Sequence, residues 1–75
     1  MLVKIQNKIP APVILRELKK LSIPLKKITF SGGQAILEVG SNTLNTFLAV
    51  CKLNSKIGVE IFDPILGEFY KVEGV

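Results

Sequence analysis

Gly32-Gly33 sits between two runs that alternate apolar and polar side chains, Lys26 to Ser31 and Gln34 to Val39. Two-residue hairpin turns of the primed types need positive φ, which glycine adopts without steric cost. The pair therefore predicts a tight β-hairpin, and the turn sets its register. Ser31 faces Gln34, Phe30 faces Ala35, Thr29 faces Ile36, Ile28 faces Leu37, and Lys27 faces Glu38. A slip of one residue would move every side chain to the other face, so the pattern tolerates no other pairing. Phe30, Ala35, Ile28 and Leu37 are expected on a buried face. Lys27 and Glu38 form an opposite-charge pair on the other.

The flanking sequence supplies the remaining elements. Leu2 to Gln6 alternates, with Val3 and Ile5 on one face, and predicts a strand. Pro10-Ala11-Pro12 opens a helix, because proline's missing N–H is no loss in the first turn. Ile14, Leu18 and Leu21 recur on one side of that helix while Arg16, Lys19 and Lys20 point away. Pro24 ends it, since the residue before proline avoids helical angles. Gly40-Ser41-Asn42-Thr43 provides a break and an N-cap. Leu44, Phe47, Leu48 and Cys51 then mark a buried stripe on a second helix. Ile57 to Phe62 predicts a strand with Val59 and Ile61 inward. Asp63-Pro64 turns the chain, and Phe69 to Val72 is a candidate fifth short strand, paired back across Asp63–Glu68.

The order strand, helix, strand, strand, helix, strand repeats a βαβ unit twice, offset by about 33 residues. Right-handed crossovers leave few topologies for such a pair. The expected fold is α+β: a ferredoxin-like split βαβ sandwich, with both helices on one face of a four-stranded antiparallel sheet ordered 4-1-3-2. Residues 1–62 would form this core within a single 1–75 domain, and 63–75 a C-terminal hairpin or tail.

Composition narrows the function classes. The chain has 75 residues, one cysteine and no histidine. No intramolecular disulfide is available, and no iron–sulfur cluster can be held. Without histidine, Ser-His and Cys-His nucleophiles are excluded within one chain. Cys51 falls on the apolar stripe of the second helix and is expected to be a buried, inert thiol. Glu38 and Glu60 flank Lys4 on the open sheet face, roughly 10 Å apart at ordinary strand spacing. An ion pair with Lys4 and Lys27 is the simpler use of these acids than acid–base catalysis. No carboxylate-rich loop suits a metal. The expectation is a non-enzyme with no cofactor and no metal. No stretch reaches the about 18 apolar residues of a membrane span. The first residues lack a basic leader and a small-residue cleavage site. A cytoplasmic location away from membranes is expected.

Charge is uneven. Before residue 59 there are nine lysines and arginines against two acids; after it, one lysine against four acids. A basic body admits polyanionic partners. Lys8, Arg16, Lys19, Lys20, Lys26 and Lys27 are the candidate contacts to RNA or DNA phosphates.

Family resemblances are short. Leu2-Val3-Lys4-Ile5-Gln6-Asn7 and Gly33-Gln34-Ala35-Ile36-Leu37-Glu38-Val39 resemble the first- and third-strand motifs of RNA-recognition motifs. That resemblance implies RNA across the sheet, where the family stacks bases on aromatic rings. The matching open-face positions here are Lys4, Gln34 and Ile36, and Phe62 is the only aromatic expected there. Residues 2–62 also resemble an ACT regulatory domain, on Asn7 to Leu18 and Ile28 to Ala35. That likeness implies a dimer that senses a small ligand, although Ala11 stands where the family carries glycine. Heavy-metal-associated domains share the topology but need a cysteine pair in the first loop. Gly32-Gly33-Gln34 is similar to the GGQ tripeptide of peptide-chain release factors and is already explained by the turn.

Three functions are weighed: a nucleic-acid or ribonucleoprotein module, an ACT-like dimerising sensor, and an accessory subunit. For self-association, Ala49, Val50 and Leu53 lie off the expected buried stripe of the second helix, and Ile36 and Phe62 add apolar surface to the open sheet face. A homodimer through these residues is the expected oligomer.

Overall fold

The computed structural model describes residues 1–6, 9–40 and 43–72. It contains β1 (Leu2–Gln6), α1 (Ala11–Lys20), β2 (Leu25–Ser31), β3 (Gln34–Val39), α2 (Leu44–Ile57), β4 (Glu60–Asp63) and β5 (Glu68–Lys71). The strands form one sheet in the order β2-β3-β1-β4-β5, and every neighbouring pair is antiparallel. The protein is thus a mixed α+β structure of five strands and two helices, where the core expected from sequence had four strands. The β4–β5 hairpin closes across Asp63 and Glu68 and makes β5 an edge of the sheet.

The β2–β3 hairpin has the register set by its glycines, from Ser31 opposite Gln34 to Lys27 opposite Glu38. Gly32 and Gly33 have φ of 57° and 80°. An L-residue at either would be strained in the left-handed region. A bulge follows Leu25 and leaves Lys26 as the extra residue.

A single core lies between the sheet and both helices. Val3, Ile5, Ala35, Leu37, Val39 and Ile61 come from the strands, Ile14 and Leu18 from α1, and Val50 and Leu53 from α2. Each valine, leucine or isoleucine among them contributes about 1.5–3 kcal/mol when fully buried. Phe30 shares the face of Leu37 yet is 55% exposed. It lies on edge strand β2 beside the turn, where it borders only a shallow hollow with Ile9 and Ile14.

The core corrects one expectation directly. Val50 and Leu53 are fully buried, while Leu44 and Leu48 are exposed. The inward side of α2 is centred on Thr46, Val50, Leu53 and Ile57; of the expected stripe, Cys51 is buried and Phe47 packs against the core, while Leu44 and Leu48 do neither. Ile57 belongs to this helix, not to the following strand, and extends the stripe to the last turn. Cys51 is buried, as expected.

The caps are legible in chemical terms. Thr43 Oγ1 accepts from the Thr46 N–H at 3.2 Å and starts α2. The expected break at Ser41 and Asn42 lies outside the described residues. Gly58, φ 70°, ends α2. At the end of α1, the Ile23 N–H donates to the Leu18 carbonyl (3.0 Å) and the Ser22 N–H to the Lys19 carbonyl (3.1 Å). This is a Schellman motif, with Ser22 at φ 55° where glycine is usual. Ser22→Gly is expected to stabilise the protein by roughly 0.5–1 kcal/mol, because it removes left-handed strain from an exposed side chain. Thermal unfolding followed by circular dichroism checks this; a lower melting temperature contradicts it.

Candidate nucleic-acid interface

On α1, burial of Ile14 and Leu18 fixes the helix's rotation. Arg16, Lys19 and Lys20 are left exposed on its outer side. On α2, burial of Val50 and Leu53 does the same for Lys52 and Lys56, one turn apart and both exposed. Because both helices pack into one core against the same strand face, these five cations all belong to the outer surface of the helix layer.

The two helices carry one carboxylate, Glu17, and it is nearly buried. Its Oε2 lies 3.8 Å from Arg16 Nε and 3.6 Å from Lys20 Nζ. Such pairs contribute little stability at an exposed site. They do hold Arg16 and Lys20 beside a charge that solvent hardly reaches. Lys19, Lys52 and Lys56 have no ion-pair partner among the described residues. Lys19 and Lys20 close α1 and Lys56 closes α2, where the negative end of each helix dipole stabilises a cation.

The six expected phosphate contacts do not form one patch. Arg16, Lys19 and Lys20 share the helix layer. Lys27 lies on the opposite, open face of the sheet, across from Glu38 and beside Leu2, Thr29 and Ile36. Strand alternation puts it there. Lys26 occupies the bulge, its stem beside Gly40. Lys8 lies outside the described residues. Lys52 and Lys56 were missed, because 36 residues separate Arg16 from Lys52 and only the tertiary packing joins them. Their signal was the i, i+4 spacing opposite Val50 and Leu53.

The open sheet face is chemically different. Lys4 Nζ lies 3.5 Å from Glu60 Oε1 and 4.7 Å from the centre of the Phe69 ring. Gln6 Nε2 donates to Glu60 Oε2 at 2.9 Å. Phe62 and Phe69 meet edge to face, with centroids 5.2 Å apart. Both carboxylate oxygens of Glu60 are thereby engaged, and the aromatic rings are committed to each other and to Lys4. They sit on β4 and β5 rather than on the strands where RNA-recognition motifs stack bases. Ile36 and Phe62 are half-buried on this face. Of the α2 residues expected at an oligomer interface, Val50 and Leu53 are core, and Ala49 packs against that core. Val50 and Leu53 have no surface left for a partner, because a helix turned to bury Leu53 takes Val50 in with it; Ala49 is half-buried.

No group of three or more metal-ligating side chains occurs among the described residues. No described helix is long and apolar enough to cross a membrane. The chain matches no protein-family model, no curated protein and no solved structure.

Proposed function

We propose that this chain is a non-catalytic module that binds the nucleic-acid backbone through the outer faces of α1 and α2. One observation carries the proposal: Arg16, Lys19, Lys20, Lys52 and Lys56 are exposed on a single layer whose lone acid, Glu17, is buried. Such a surface neutralises phosphates and releases their counterions, which is binding without base readout. The one aromatic residue on the helices, Phe47, is half-buried against the core, so base stacking has no open platform there. This arrangement also agrees with a ferredoxin-like reading of β1 to β4, with β5 as an addition at the β4 edge. The sheet face, closed by the Lys4–Glu60–Phe69 cluster, is the less suited side for a polyanion.

The experiment is a fluorescence-anisotropy titration of duplex DNA and RNA at several salt concentrations. With four or five phosphates engaged, the logarithm of the binding constant should fall against the logarithm of salt with a slope near −4. The double substitution Lys52→Ala, Lys56→Ala is expected to flatten that slope by about 2 while Lys27→Ala leaves it unchanged. Absence of binding at low salt removes the proposal. Equal effects of the two variants would mean that the helix layer is not the contact surface.

A further inference from the structure

Among the described residues the exposed aromatic rings are Phe30 (55%) and Tyr70 (43%). Both stand on the helix side of the sheet, because their cross-strand partners, Ala35 and Ile61, are core residues. Their electrostatic settings differ. Tyr70 shares a groove with Asp63, and Glu68 lies two residues earlier on the same face of its strand. β2 carries Lys26 and Lys27 and no acid, and α1 carries only the nearly buried Glu17. Phe30 also has small neighbours. Ala35 stands across from it, and a Cβ at Gly32 or Gly33 would meet no atom within 4 Å beyond its chain neighbours. The ring pairs with no other aromatic and no cation among the described residues.

We propose that Phe30 is a base-stacking platform at the edge of the cationic layer, and that the ligand is therefore single-stranded RNA or DNA rather than a duplex. The proposal rests on the reading of α1 and α2 as the phosphate-binding surface and adds what that surface selects. Position joins the two. Phe30 and Ile14 line the same hollow, so the ring lies beside α1 at the level of Ile14. At 1.5 Å per residue, Arg16 and Lys19 lie about 3 and 7.5 Å further along the axis of α1. That is the span of roughly two nucleotides in a stacked strand. A base laid on the ring thus brings the following phosphates within reach of the first cations of α1. A base inside a duplex is already stacked on both sides and has no free π-face; an unpaired base has one. Stacking tolerates any sequence, which suits a surface that reads no base edge.

Anisotropy titrations of the full chain with oligothymidylate, oligouridylate and a duplex test this. Both single strands are expected to bind more tightly than the duplex. Phe30→Ala should weaken single-strand binding about tenfold or more and leave duplex binding unchanged. The salt slope should not move, since no cation is lost. Phe30→Leu keeps an apolar side chain over the hollow and removes the π-face. It should melt as wild type does and bind as weakly as Phe30→Ala. Phe30→Trp should bind at least as tightly as wild type, and its indole, in a chain that otherwise has no tryptophan, should be quenched by either oligonucleotide. Equal affinity for single and double strands overturns the proposal. So does a Phe30→Leu variant that binds as wild type, or an indole that no oligonucleotide quenches. If those results appear while Lys52→Ala, Lys56→Ala still flattens the slope, the phosphate surface stands and the platform alone fails. Absence of any nucleic-acid binding at low salt removes both.

Discussion

Leu53→Ala is expected to destabilise the protein by about 2–5 kcal/mol, the range for truncating a fully buried leucine. Leu48→Ala, five residues earlier on the same helix, should stay within about 0.5 kcal/mol. Leu53 has no exposed surface and lies in the cluster with Val50, Ile5 and Leu37. Leu48 is 48% exposed. The pair therefore reads the rotation of α2 in a single comparison. A small domain has only about 5–15 kcal/mol to lose, so Leu53→Ala should show a visibly broadened or early urea transition. If Leu48→Ala is the costly member, α2 buries the other stripe, and the outward positions of Lys52 and Lys56 are wrong with it.

Asn54→Ala is expected to cost about 1–3 kcal/mol, a large effect for a residue outside the apolar core. Asn54 Oδ1 accepts from the Val59 N–H at 2.9 Å, and its Nδ2 donates to the Val72 carbonyl at 2.9 Å. Its own carbonyl accepts from the Gly58 N–H. One side chain thus ties the end of α2 to the approach of β4 and to the residue after β5. Alanine leaves a donor and an acceptor short of partners, and partly buried groups so stranded cost most of their desolvation. Amide exchange gives a sharper test than melting. Val59 and the β4–β5 hairpin should exchange faster in Asn54→Ala, while the β2–β3 hairpin keeps its protection under conditions of local opening. Asn54→Asp, which keeps the acceptor and loses the donor, should restore protection at Val59 but not at the end of β5. Uniform exchange changes across the sheet would show instead that the clip has no local role.

The β2–β3 hairpin was readable in the sequence because two local rules agreed on it. A glycine pair fixed the turn and a period of two fixed the faces, and neither needed knowledge of the rest of the chain. The second helix was ambiguous for the opposite reason. Leu44, Phe47, Leu48 and Cys51 make one acceptable stripe; Thr46, Val50, Leu53 and Ile57 make another. The second wins, joined by Cys51 and the half-buried Phe47 from the first, because it reaches Ile57 and meets Gly58 at the helix end. A threonine at its head disguised it. The cations of α1 were visible as soon as Ile14 and Leu18 were seen, since three residues in one turn declare a face. Those of α2 became part of the same surface only once both helices were placed on the same side. Lys27 was legible as the cross-strand neighbour of Glu38, although no ion pair joins them among the described residues, and its inclusion among the helix cations ignored the alternation that set that register. The Asn54 clip left no trace in the sequence, because its partners lie at positions 59 and 72 and one is a carbonyl.

Five cations ride on the helices against the single acid Glu17, whereas Asp63 and Glu68 lie at the far hairpin, and on the opposite side of the sheet Glu38 and Glu60 are balanced by Lys27 and Lys4. Separated charge of this kind gives the molecule an electric moment. In the field of any polyanion it will be rotated helices-first before contact, so encounters arrive already aligned. That torque weakens as added salt shortens the reach of the field to the width of the protein itself.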